Sequence, residues 1–200
     1  ILNVDEDHLD YFGDLAHIQA SFRSFAELAT FGILANGDDA NTVDTLKGLA
    51  YVTFGLQEHN RVTATNMSPN WRNFDVICDG KFYCHLELQV LGYHNALNAL
   101  AAAAAAWMMG IPGEAVSRGL ESFHGAGRRM EFKGKWNGAD IYDDYAHHPD
   151  ELAATIDSVR TSFPGRRLVL AFQPHTYSRT NALFHEFVEQ LKKPDVVILA

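Results

Sequence analysis

Cysteine is scarce in this sequence. The 200 residues contain two, Cys78 and Cys84, which speaks for reduced thiols rather than a disulfide framework. Long apolar runs are missing too. The longest, Ala99–Met109, falls well short of the ~20 residues that span a bilayer, and no charged-then-apolar leader opens the chain. Positive charge is in deficit, 16 Lys+Arg against 25 Asp+Glu for a net −9, which argues against a nucleic-acid partner held by a general basic surface. Repeats and low-complexity tracts are lacking, apart from the alanine run Ala101–Ala106, a helix former that allows close packing. What is present suits a buried core: 47% hydrophobic and 12% aromatic residues, enough for one large domain or two small ones. An acidic, cytoplasmic globular protein with no membrane partner is expected.

The chain has no initiator Met. Ile1-Leu2-Asn3-Val4 reads as the tail of a strand, and Asp195–Ala200 as a buried strand of the kind that normally feeds a further helix. A piece of a longer protein is therefore expected. Between these ends, the spacing of Leu15, Ile18, Phe22, Phe25 and Leu28 predicts a helix over 15–29 buried along that face. Strands follow at 32–36, 50–54, 62–66, 74–78 and 82–89, with a short helix near 42–47 and an Asp79-Gly80 hairpin turn. Helices are expected over 95–109 and, from Pro112, to about 123. The texture changes near Gly125–Gly127. Strands at 129–133 and 139–143, a helix 149–162, a strand 168–172, a helix 182–191 and the final strand then suggest a parallel sheet with helical crossovers.

Five constellations carry chemistry. Asn3-Val4-Asp5-Glu6-Asp7-His8-Leu9-Asp10 gathers ligands for magnesium at a strand end, or else forms a solvated acidic turn. Gly92–Asn98 opens a helix with His94 and Asn98 on one face; an amide and an imidazole can address a purine edge, or simply cap the helix. Arg128-Arg129 suits an anion such as phosphate, although an exposed basic pair is common. Asp143–Glu151 (DDYAHHPDE) and Gln173–Thr180 (QPHTYSRT) each follow a strand. If both strands share a parallel sheet, both loops leave the same edge, and three His, two Tyr and one Arg can converge.

These blocks, with Phe123–Met130 (FHGAGRRM), occur in one order across essentially the whole chain and resemble the Mur ligases, the ATP-dependent amide-forming enzymes of peptidoglycan synthesis. The last two blocks are similar to the branch that joins L-alanine to UDP-N-acetylmuramate. The resemblance implies an α/β fold: the second half of a central ATPase domain, residues 1–128, followed by the first half of a Rossmann-like C-terminal domain, residues 129–200. It implies ATP and Mg2+ as cofactors, with UDP-N-acetylmuramate and L-alanine as substrates. His8 would then help hold magnesium, and His94, Asn98, Asp144 and Asn3 would contact the nucleotide. An arginine of the Arg128-Arg129 pair would reach the γ-phosphate. Tyr145, His147, His175 and Arg179 would shape the L-alanine pocket, with His147 and His175 also placed for catalysis.

Two features depart from the family pattern. No G-x-x-x-x-G-K-[ST] phosphate loop is present: Gly80-Lys81 has Asp75 where the first glycine belongs, and Gly134-Lys135 is followed by Trp136. The chain by itself is therefore expected to be inactive. Phe22 occupies the position at which several sister ligases carry a modified lysine. Three other readings remain: a sister ligase that attaches a recovered peptide, a metal-dependent hydrolase built on Asp7, His8, His147 and His148, and a non-catalytic module that binds nucleotide.

Overall fold

The structure, a computed structural model, describes residues 1–6 and 9–200, the side chains of Asp10 and Ser178 excepted. The chain divides into two compact units. The first comprises Ile1–Met67, Asn73–Glu87 and Leu97–Glu121; the second comprises Ser68–Arg72, Leu88–Ala96 and Ser122–Ala200.

In order along the chain come α1 (Leu9–Phe12), α2 (Leu15–Glu27), β1 (Leu34–Asn36), α3 (Ala40–Thr45), β2 (Val52–Gly55), β3 (Val62–Thr65), β4 (Asn73–Cys78) and β5 (Lys81–Glu87). Helices α4 (Tyr93–Met108) and α5 (Gly113–Glu121) follow. The strands of the first unit form one sheet in chain order; β1, β2 and β3 run parallel, and β3, β4 and β5 antiparallel. Ile1 extends the β1 side, its carbonyl accepting from Asn36 N–H at 3.0 Å. The Asp79-Gly80 turn closes the last hairpin, with φ of 46° and 74°. Both central residues of a type I′ turn need positive φ, which is why Asp-Gly stands there.

Ala99, Leu100, Ala103 and Ala104 are buried on one stripe of α4, at the spacing of a packed helical face. The core of this unit also holds Leu46, Phe54, Val62, Phe74, Val76 and Leu86. Each such side chain contributes about 1.5–3 kcal/mol on burial. Cys78 and Cys84 are buried, free thiols. Burial pushes their pKa values up to about 12 and about 11.

Helix α2 departs from the expected face. It packs through Ile18, Phe22 and Ala26, while Phe25 and Leu28 are 67% and 77% exposed. On the same helix the Arg23 guanidinium donates to the carbonyls of Thr45 and Lys47 at 3.1 and 3.0 Å. The 18-22-26 row faces inward, at the i, i+4 spacing of a helix.

The second unit contains β6 (Glu131–Trp136), β7 (Ala139–Asp143), α6 (Pro149–Ser162), β8 (Val169–Phe172), α7 (Tyr177–Ala182), α8 (Phe184–Leu191) and β9 (Val196–Leu199). Its apolar cluster is Leu152 and Ile156 of α6, Phe172 of β8 and Phe187 of α8, with Leu168, Leu170, Leu183 and Leu191 around them. Strands β8 and β9 pair in parallel as expected. The single parallel sheet containing 139–143 is not what forms. Among the described residues β7 pairs only with β6, antiparallel. Asn137-Gly138, with φ of 48° and 83°, makes the two-residue hairpin turn that pairs one edge of β7 with β6. The helix expected at 182–191 forms as α8, and a further short helix, α7, precedes it, the two separated at Leu183. Tyr177–Thr180 therefore belong to a helix, which shortens the loop after β8 to 173–176.

Candidate functional site

The segment between β7 and α6 is organised by two carboxylates. Asp144 accepts from Met130 N–H at 2.7 Å, Ala146 N–H at 2.8 Å and the Thr155 hydroxyl at 3.1 Å. It thereby ties three segments together. A carboxylate has about four acceptor sites, so one remains for a further donor. Glu151, in the first turn of α6, accepts from His147 N–H at 2.9 Å and His148 N–H at 3.3 Å. Burial pushes the Glu151 carboxyl up, but these two N–H groups, the His147 ring and Arg129 together hold it below the usual range.

These hydrogen bonds set the histidine tautomers. His147 Nδ1 lies 2.9 Å from the Tyr145 carbonyl oxygen. A carbonyl only accepts, so Nδ1 carries the proton and Nε2 is the basic nitrogen. His148 is the N-cap of α6, its Nδ1 accepting from Asp150 N–H at 3.4 Å.

Arg128 and Arg129 both gather on Tyr145, with guanidinium carbons 4.8 and 5.8 Å from the ring centroid. The same ring meets His147 edge to face at 5.1 Å. Asp143 lies 3.7 Å from Arg128, and Glu151 3.6 Å from Arg129. Both arginines are exposed, so these pairs add little stability but keep two cations beside one aromatic face. Arg128 holds φ of 58° and Met130 of 46°, a turn that non-glycine residues adopt only when their surroundings impose it. Here the Tyr145 N–H donates to the Arg128 carbonyl at 2.8 Å and Glu131 accepts from Arg128 N–H at 2.8 Å.

His94 lies within electrostatic reach of this group. Its pKa is lowered, chiefly by desolvation; the Asp144 carboxylate opposes that effect and Arg129 adds to it. At His94 opens a cleft of about 630 Å³, lined also by Trp71 and Tyr93 and by Ala154, Asp157, Ser158, Arg160 and Thr161 of α6. Trp71, Tyr93 and the α6 face escaped the motif reading. The i, i+1, i+4 spacing of Asp157, Ser158 and Thr161 on a helix was the available signal.

The structure thus brings together Arg128, Arg129, Asp144, Tyr145 and His147, with His94 in reach. It does not place every candidate there. Arg179 sits on α7, where Nη2 donates to the His175 carbonyl at 3.0 Å and Nε is buried without a hydrogen-bond partner. Among the described residues no carboxylate pairs with Arg179. Thr176, at φ 66°, precedes α7, and Tyr177 is 97% exposed. The shared sheet on which the expected convergence of this loop with 143–149 rested does not form among the described residues: β7 pairs with β6, and β8 with β9. Asn98, one turn beyond His94 on α4, and Asn3 are both exposed and belong to the first unit. His8, the expected magnesium contact, lies outside the described residues, as does Asp7. Among the described residues no group of three or more His, Cys, Asp or Glu side chains is arranged to hold a metal, and no helix is long and apolar enough to cross a membrane.

Comparison with known proteins gives this geometry a context. The chain is 41% identical over 206 residues to the UDP-N-acetylmuramate–L-alanine ligase of Caldanaerobacter subterraneus subsp. tengcongensis, covering all of this chain and 45% of that protein. It is 39% identical to the corresponding ligase of Clostridium tetani, with the same coverage. The chain therefore spans a little under half the length of the curated relatives it matches. The crystal structure of the UDP-N-acetylmuramate–alanine ligase of Thermotoga maritima superposes with a TM-score of 0.80 at 29% identity, over 98% of this chain and 44% of that one. Residues 1–106 match the Mur ligase middle domain, and residues 128–200 match the Mur ligase glutamate ligase domain. With both stretches matched in order, the chain belongs to the Mur ligase family.

Proposed function

We propose that the protein carrying this chain joins L-alanine to UDP-N-acetylmuramate in an ATP- and Mg2+-dependent ligation, acting in the cytoplasm in peptidoglycan synthesis. The observation that carries this reading is the 41% identity along the whole chain to a ligase of that name. The division we favour is a central ATP-binding domain through residue 128 and a C-terminal amino-acid-binding domain from 129. The two matched stretches leave 107–127 between them, and the backbone turns sharply at Arg128 and Met130.

ATP, when bound, supplies the phosphoryl group that converts the muramyl carboxylate to an acyl phosphate. The residues of this chain then have definable tasks. The Arg128 and Arg129 guanidiniums offset negative charge on the transferring phosphate and the tetrahedral intermediate. His94 and Asn98 address the base from one helical face. The remaining acceptor site of Asp144 takes a ribose hydroxyl, and Asn3 adds a polar contact on the nucleotide side. Magnesium is assigned to His8. Tyr145 and His147 receive L-alanine from the β7–α6 loop, and His175 and Arg179 from the β8–α7 segment, which would have to reach the same substrate without sharing a sheet with β7. Arg179 suits the L-alanine carboxylate because its planar guanidinium binds a carboxylate bidentately, and among the described residues its Nε–H has no hydrogen-bond partner. His147 Nε2 and the His175 ring are bases for the proton of the incoming ammonium.

Phosphate release from ATP and magnesium should require both UDP-N-acetylmuramate and L-alanine. Release with L-alanyl-γ-D-glutamyl-meso-diaminopimelate but not with L-alanine would replace this reading by the peptide-recovering sister enzyme. The 200-residue chain alone, without a G-x-x-x-x-G-K-[ST] loop, should release none.

A further inference from the structure

The cleft beside His94 has the size and chemistry of a base pocket. Its volume of about 630 Å³ lies within the range of small-ligand sites. Trp71 and Tyr93, which meet edge to face at 5.1 Å, both line it, and an aromatic side chain at such a cleft is a platform on which a base can stack. Trp71 is held at φ 64°, a costly conformation for a bulky residue that its surroundings must impose. Its N–H donates to the Ser68 carbonyl at 2.9 Å. The neighbouring Arg72 is anchored on the Leu88 carbonyl at 2.6 Å and on Gln89 Oε1 at 3.2 Å. The indole is thus placed at the cleft by the loop that carries it. Asp157, which also lines the cleft, is an exposed carboxylate.

We propose that Trp71 and Asp157 complete the pocket for the adenine base, the indole stacking on the ring and the carboxylate accepting from the 6-amino group. This rests on the reading of His94 as a base contact. A carboxylate also selects among bases. At the 6 position adenine presents an amino donor and guanine a carbonyl oxygen, so a carboxylate seated there favours adenine; the donors of guanine, N1–H and the 2-amino group, lie further along that edge.

The test is calorimetric titration of the protein with ATP, GTP and UDP. Trp71→Ala should weaken ATP binding about 5- to 150-fold, the worth of one base–aromatic stack, and Trp71→Phe should recover most of it. Asp157→Asn should narrow the preference for ATP over GTP, since an amide can face either group. Should Trp71→Ala not fold, the emission difference between the wild type and Trp71→Phe reports on Trp71 directly, and it should change when ATP binds. Unchanged ATP affinity in Trp71→Ala, a flat Trp71 signal on ATP addition, or a loss confined to UDP would each overturn the proposal. His94→Ala separates the two readings. If it leaves ATP affinity intact, the underlying assignment of His94 fails, whatever Trp71 does.

Discussion

Replacing Asp144 with alanine should loosen the loop before α6 well beyond the site of substitution. The carboxylate holds two backbone N–H groups, of Met130 at 2.7 Å and Ala146 at 2.8 Å, and the Thr155 hydroxyl at 3.1 Å. A hydrogen bond to a charged group contributes about 1.5–3 kcal/mol and a neutral one about 0.5–1.5 kcal/mol. Asp144 is only half-buried, so water can replace part of this around Ala146. It cannot easily do so at Met130, which is 8% exposed. A net loss of about 3 kcal/mol follows, equivalent to roughly a hundredfold in an opening equilibrium. Hydrogen exchange measures it directly: the amides of Met130 and Ala146 should exchange about a hundredfold faster in Asp144→Ala. Asp144→Asn should show a smaller effect, because it keeps one acceptor oxygen but turns a donor towards the other partners. If protection at both amides is unaltered and only the Michaelis constant for ATP rises, Asp144 serves the nucleotide alone and the clasp described above is irrelevant to stability.

Other outcomes follow from the same structure. The lowered pKa of His94 means that the unfolded chain, with histidine near its ordinary ~6.5, binds that proton more readily than the folded one. Stability from this group is complete above ~6.5 and is lost as pH falls, so thermal midpoints of wild type and His94→Gln should run parallel above pH 6.5, with wild type falling faster below it. Cys78 and Cys84, with pKa values up to about 12 and about 11, should react with a thiol reagent at pH 8 only after denaturant is added; fast native labelling would contradict their burial. Gly92→Ala should destabilise by about 1–3 kcal/mol in denaturant titration, because Gly92 lies at φ 94° and a Cβ would collide with Ser158 Oγ. A neutral result would mean that α6 is not packed there. Arg179→Lys, which keeps the charge but loses the planar fork, should raise the Michaelis constant for L-alanine at least tenfold and that for ATP little; equal effects on both would remove Arg179 from the alanine pocket.

Features written in adjacent residues were legible before any coordinates. Asp79-Gly80 specified a hairpin because two consecutive positive φ angles are needed and those residues accept them. Pro149, followed by Asp150 and Glu151, marked the start of α6, since proline suits a first helical turn and carboxylates suit its positive end. The chemistry-bearing residues were readable for the same reason. Asp144, Tyr145, His147 and the Arg128-Arg129 pair stand in short blocks, and the structure brings these blocks together.

What sequence alone determined was therefore local: which segments turn, which begin helices, and which residue types stand at strand ends. Tertiary structure decided everything that depends on a distant partner. Helix α2 packs through Ile18, Phe22 and Ala26, with Arg23 bonded to the carbonyls of Thr45 and Lys47, while Phe25 and Leu28 face outward against the periodicity. Strand β7 pairs with β6, and β8 with β9, so no parallel sheet joins β7 to β8 among the described residues. Trp71 and Asp157, far apart in sequence, line one cleft only because the loop before β4 and a face of α6 fold into the same unit. Such pairings are set by competition among many long-range contacts of similar energy, and no single stretch of residues encodes which of them prevails.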